Sequence, residues 1–182
     1  MIEISGKIHR SFLFPADLPT AFDFYSDVNR IIHYLPHISL VHKYSDGQYR
    51  MLYRTTELGI YRVSIYCDFM ADPQAEEQTL FIGPSNNRRV PVQPEAGLYS
   101  LVGQGYYSSV SRFYPDESRT KIEYQLELKS ELPVPLGLRL MPTNVVESIA
   151  NNITRWRMKE IVEGFIQRST TAYLLLSNNK DG

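Results

Sequence analysis

His33 and His37 stand four residues apart, the spacing with which one face of a helix presents two imidazoles to a zinc ion. The glutamate of a His-Glu-x-x-His motif is missing and Pro36 interrupts the helix between them, so they read as surface or helix-end histidines and no metal is expected. Cys67 is the only thiol; a nucleophile there would need a neighbouring base and a lowered pKa, and no cysteine-hydrolase signature surrounds it. It shares strand parity with Ile65 and Phe69, which points to a buried, inert sulfur. Arg10 falls on the apolar parity of its strand, a costly place for a guanidinium unless it is paired, lies at a rim or faces an anionic ligand. Arg112 is a weaker case of the same kind, and Arg88-Arg89 could meet an acidic partner or a lipid headgroup, or simply be solvated. The chain has no P-loop, Gly-x-Gly-x-x-Gly or Gly-x-Ser-x-Gly elbow, and Gly103-Gln104-Gly105 reads as relaxing a bent strand. No catalytic set and no cofactor is assigned.

The tyrosines say more. There are thirteen, and a wall of such side chains is apolar in body while carrying hydroxyls able to orient a ligand. By parity the inward positions include Tyr49, Met51, Tyr53, Tyr61, Val63, Ile65, Phe69, Tyr124 and Leu126, with Trp156 and Phe165 facing them from a helix. These residues either line a cavity or fill an ordinary core, and no sequence pattern separates the two.

The elements that must hold them follow from period. Ile2, Ile4, Ile8, Phe12 and Phe14 alternate with polar residues, a strand with one buried face. Pro15 to Pro19 breaks it, and apolar residues from Ala21 to Leu35 recur at helical spacing, predicting two short helices broken near Ser26-Asp27 and stopped by Pro36. Segments 39–45 and 48–56 flank Asp46-Gly47, a hairpin signal. Residues 61–69 continue the meander, 80–82 could add a strand, and 83–97 reads as a long loop. Strand character resumes over 99–114, and residues 121–129 alternate strictly. After Pro142 the period changes to about 3.6: Asn144 with Glu147 matches a capping box, and an apolar face through Val146, Ile149, Ile153 and Trp156 predicts a helix of about 30 residues. The expected fold is α+β, one domain over residues 1–176, with 177–182 fraying.

Composition narrows the function classes. With 19 basic against 20 acidic residues, no global field draws a nucleic acid. No segment reaches the roughly 18 apolar residues that span a bilayer, although transient membrane contact and a protein partner both stay open. The absence of an apolar leader and the lone cysteine point to the cytoplasm.

This order of elements resembles the START-like superfamily, also called SRPBCC, Bet v 1-like or polyketide cyclase-like, whose curved antiparallel sheet wraps a long C-terminal helix in a helix-grip. The local likeness is FLFPADLPTAFDFYSDVNRIIHYLPHI, Phe12 to Ile38, with the long helix around Trp156 as its second part. Within that superfamily the chain resembles a family of cyanobacterial and plastid proteins designated as a domain of unknown function. The resemblance implies a hydrophobic small molecule, such as a lipid, isoprenoid or pigment, held between sheet and helix, with His37 near the entrance. Two alternatives stay open: a cyclase- or hydrolase-type enzyme using tyrosine hydroxyls, Arg10 or His37, and a protein-binding scaffold.

Overall fold

Alternation over the first fourteen residues produces β1 (Ile2–Phe14), whose even-numbered side chains turn inward and whose odd-numbered ones face solvent. A computed structural model describes residues 1–44, 47–85 and 91–178. Asp17 then caps α1 (Leu18–Ser26), its carboxylate accepting from Thr20 N at 3.1 Å. Asp27 ends α1 and caps α2 (Val28–Ile31) in the same way through Arg30 N, and a 3-10 turn over Ile32–Tyr34 leads to Pro36.

The strands β2 (Ile38–Lys43), β3 (Gln48–Glu57), β4 (Tyr61–Gln74), β5 (Thr79–Pro84), β6 (Glu95–Ala96), β7 (Ser100–Asp116) and β8 (Arg119–Leu132) follow. With β1 they form an eight-stranded sheet in the order β1-β8-β7-β5-β4-β3-β2, with β6 added onto β7. The pairings are antiparallel except where the six-residue β5 runs out and β4 meets β7 directly, Arg62–Cys67 running parallel to Ser100–Gly105. Within the segment read as a long loop, β6 is therefore a short strand, and residues 86–90, which include Arg88-Arg89, lie outside the described residues, as does Asp46 of the hairpin turn.

The last element, α3 (Thr143–Asn178), is 36 residues long. It starts one residue before Asn144, with the Pro142 carbonyl accepting from Val145 N and Val146 N, so Asn144 falls inside the first turn instead of capping it. It runs through Ser177 and Asn178, where fraying is expected, and 179–182 lie outside the described residues.

Two close approaches seat α3. At Gly6 a Cβ would stand 2.2 Å from Met158 Sδ, so the bare backbone of β1 admits the helix; at Gly164 a Cβ would stand 2.6 Å from Pro36 Cγ, so the helix is bare where the proline lands. Asn151 satisfies the otherwise unpaired edge of β1, accepting from Ser5 N at 3.2 Å. An aromatic cluster of buried Phe14, Phe24 and Tyr25 with half-buried Tyr173, and Tyr25 Oη 2.9 Å from Ser169 Oγ, locks α1 to the distal half of α3. The proximal half of the helix is left to span the sheet over a different kind of surface.

Candidate functional site

The inner face of β7 reads Leu101, Gly103, Gly105, Tyr107, Ser109, Ser111, Phe113. Two glycines there let side chains of the neighbouring strands lie across β7 under α3. A Cβ on Gly103 would lie 2.5 Å from Leu132 Cδ2, and one on Gly105 3.0 Å from both Cys67 Sγ and Ile65 Cγ2. Between sheet and α3 lies a cavity of about 170 Å³. Its walls are almost wholly apolar: Ile2, Ile4, Leu126 and Leu128 from β1 and β8, Val63 and Ile65 from β4, and Val146, Ile153, Met158 and Ile161 from α3. Along these apolar walls a water molecule would find no polar partner, so this part of the space favours an apolar occupant.

The cavity opens where Leu58 of the β3–β4 turn, Met141 of the β8–α3 connection and Ile149 of the first turns of α3 are part wall, part surface. The apolar Leu136 and Leu140 are exposed on the same connection, Leu140 almost completely at 99%. A second hollow of about 30 Å³ lies deeper, towards α1 and α2, and Met51 and Tyr107 belong to the walls of both. In it Tyr107 Oη donates to Ser109 Oγ at 3.2 Å and lies 3.0 Å from Tyr124 Oη. Burial raises the pKa of both phenols, so they stay protonated and act as neutral hydrogen-bonding groups.

Of the residues predicted to face inward, Met51, Tyr53, Tyr61, Val63, Ile65 and Leu126 lie on the wall of the main cavity. Phe69, Tyr124 and Phe165 line the deep hollow with Met51, and Tyr49 is buried against Phe69, ring centroids 5.3 Å apart, beyond either space. Trp156 is elsewhere: its ring is 57% exposed on the outer face of α3, under the Arg157 guanidinium at 4.3 Å. Arg10 does follow the inward parity of β1, yet its guanidinium reaches out of the groove to Glu163 of α3 at 3.4 Å and to the His9 carbonyl at 3.0 Å. His33 and Arg112 are exposed.

Cys67 lies on the cavity wall, and burial pushes its thiol up to about 12 against a lesser opposing pull from the Gly105 backbone. It is protonated and unreactive at neutral pH.

One end of the cavity is polar, and it was not legible from the pattern of residues. Glu57 at the end of β3 and Arg157 at the middle of α3 both line the space and form a two-point ion pair, Nε to Oε1 at 2.9 Å and Nη2 to Oε2 at 3.2 Å. Arg157 Nη1 donates to Glu160 Oε2 at 2.6 Å, Glu160 Oε1 stands 3.2 Å from His37 Nε2, and Tyr53 Oη donates to Glu57 Oε1 at 3.3 Å. Burial would lower the Arg157 pKa, but the bonds to Glu57 and Glu160 overcome it and raise it, while the same Arg157 contact holds the Glu160 carboxyl below its usual range. His37 thus touches the rim through Glu160 without facing the interior; it sits at a left-handed φ of 62°, its carbonyl accepting from Arg54 N. Of the cluster, Tyr53 and His37 were predicted, and for the Glu57–Arg157 pair the sequence signal was Glu57 on the same parity as Tyr53 and Thr55. Among the described residues no group of three or more His, Cys, Asp or Glu side chains is arranged to hold a metal.

A sheet curving around a single long helix, with two short helices after its first strand, is the geometry that known structures share. The fold is START-like. The chain superposes on a conserved protein from Geobacillus kaustophilus with a TM-score of 0.56 at 9% identity, covering 93% of this chain and 94% of that one. The Zhui aromatase/cyclase from Streptomyces sp. R1128 gives 0.52 at 11% identity over 98% and 96%. Human STARD10 gives 0.56 at 7% identity over 95% of this chain and 66% of that one. No family model and no curated protein matches the sequence. The START-like chain has no helix among the described residues that is long and apolar enough to cross a membrane.

Proposed function

We propose that this START-like chain binds a hydrophobic small molecule, of the lipid, isoprenoid or pigment class, and carries or sequesters it between its sheet and α3. The observation that supports the reading is the apolar cavity of about 170 Å³ opening beside Leu58 and Met141. A filled core would leave room for about one water, 10–15 Å³ on this scale, so the space exceeds a packing defect by an order of magnitude. The energetics suffice without a charged contact: burying about 400 Å² of ligand at about 25 cal/mol per Å² contributes roughly 10 kcal/mol. Association costs at least about 4 kcal/mol, which leaves about 6 kcal/mol, an affinity of tens of micromolar. Of the tyrosine hydroxyls, Arg10 and His37 on which the cyclase or hydrolase alternative relied, only tyrosines line the cavity, while Arg10 and His37 are engaged with Glu163 and Glu160 outside it.

Native mass spectrometry of freshly purified protein tests the reading. A co-purifying adduct, identified after solvent extraction, is expected. Absence of any adduct, together with no change in melting temperature on adding lipids or isoprenoid alcohols, overturns it.

A further inference from the structure

The charged groups at the polar end of the cavity have a definite balance. Glu57 and Glu160 carry one negative charge each, Arg157 carries one positive charge, and His37 adds at most one more. The sum is −1 with His37 neutral and 0 with it protonated; it is never positive. Glu57 and Arg157 are the only ionisable Asp, Glu, Lys or Arg side chains on the cavity wall among the described residues. The one cation there is held by two carboxylates, and the hydroxyl of Tyr53 is also turned towards Glu57. An incoming carboxylate or phosphate would leave water for a low-dielectric space whose nearest net charge is of its own sign or nil.

A neutral polar group finds the opposite situation. Three of the five N–H donors of Arg157 bond the two carboxylates, so the guanidinium has donors left for a ligand oxygen, and the Glu57 carboxylate has lone pairs left for a hydroxyl proton. Both side chains are already fixed by their two-point ion pair and by the bonds to Glu160 and Tyr53, so little side-chain order is lost when a ligand arrives.

Building on the proposed function, we infer that the cavity selects by charge: its ligand is an apolar molecule ending in an uncharged hydroxyl or carbonyl, held at Glu57 and Arg157, and amphiphiles with an anionic head are discriminated against. The Glu57–Arg157–Glu160 cluster is the specificity filter.

Isothermal titration with decan-1-ol and with decanoate, at pH 8 where the acid is ionised, tests this in the wild type, Glu57→Gln and Glu160→Gln. Any apolar pocket favours the uncharged molecule, so the informative quantity is how the alcohol-to-acid affinity ratio changes between proteins. Removing one negative charge leaves the cluster positive or neutral, and the ratio is expected to fall at least fivefold in both variants. Glu160 is at the surface end of the cluster, so Glu160→Gln provides the readout if Glu57→Gln fails to fold. A ratio unchanged in the folded variants, or decanoate binding the wild type as tightly as decan-1-ol, overturns the charge filter and leaves the proposed function standing. Binding of neither probe, with no co-purifying adduct, overturns both.

Discussion

The Tyr107 hydroxyl donates to Ser109 and lies 3.0 Å from the Tyr124 hydroxyl, which makes a directional chain from Tyr124 through Tyr107 to Ser109 in the interior of the sheet. Removing the first link should cost about 1 kcal/mol, the ordinary net value of one such bond, and Tyr107→Phe, which removes both, about 2 kcal/mol. The Tyr107→Phe/Tyr124→Phe double variant should cost less than the sum, because the shared bond is lost only once. Urea denaturation of the three variants measures the cycle.

Cys67 supplies a pH signature. In the unfolded chain the thiol releases its proton near pH 8.5, whereas in the folded chain burial holds it to about 12. Above pH 8.5 the unfolded state therefore binds fewer protons than the folded one, and stability should fall as pH rises, by up to about 1.4 kcal/mol per unit. Between pH 8.5 and 10 the slope belongs mainly to Cys67, because the buried tyrosines begin to contribute only near the ordinary phenol value. Cys67→Ala should flatten it, as measured by urea midpoints across that range; an equally steep slope in Cys67→Ala would assign the effect elsewhere.

Gly164 sets two effects against each other. Glycine to alanine inside a helix ordinarily stabilises by about 1 kcal/mol. Here the new methyl would stand 2.6 Å from Pro36 Cγ, a ring atom that cannot swing aside, and overpacking costs about 1–3 kcal/mol. Gly164→Ala should be net destabilising, read as a lower melting temperature.

Ala150 tests the space itself. It lines the cavity from α3, so Ala150→Phe should place a ring in the hollow and lower decan-1-ol affinity at least tenfold. Because the ring fills a void instead of displacing packed atoms, the melting temperature should hold or rise. A fall in affinity accompanied by a large fall in melting temperature would mean misfolding, not occlusion.

The fold was legible because its signals are local: the Pro15–Pro36 helical insert, the alternation along β1 and β8, and the switch to a 3.6-residue period after Pro142 each bear on one element. Trp156 was misplaced because a stripe of apolar residues at spacings of three and four drifts around a helix. Lying two residues after Thr154 and two before Met158, both buried, it sits about 200° round from each, on the outer face. Arg10 follows the inward parity of its strand, but a long side chain on the strand along which α3 packs can leave the groove, and Glu163 is there to receive it. The Glu57–Arg157 pair joins residues one hundred positions apart, and such pairing depends on how α3 is placed against the sheet, which no local period encodes.

The bare inner face of β7 has a wider consequence. Gly103 and Gly105 sit in a strand paired on both sides, with β4 and with β8, so their backbone positions are fixed by neighbours and not by their own side chains. The side chains that lie across them, Leu132 from β8 and Ile65 and Cys67 from β4, are the ones on the cavity wall, so a methyl at either glycine would press on that wall from behind. The roof over β7 is thus borrowed from its two neighbours, and the width of the chamber is set by strands on either side of the one it lies above.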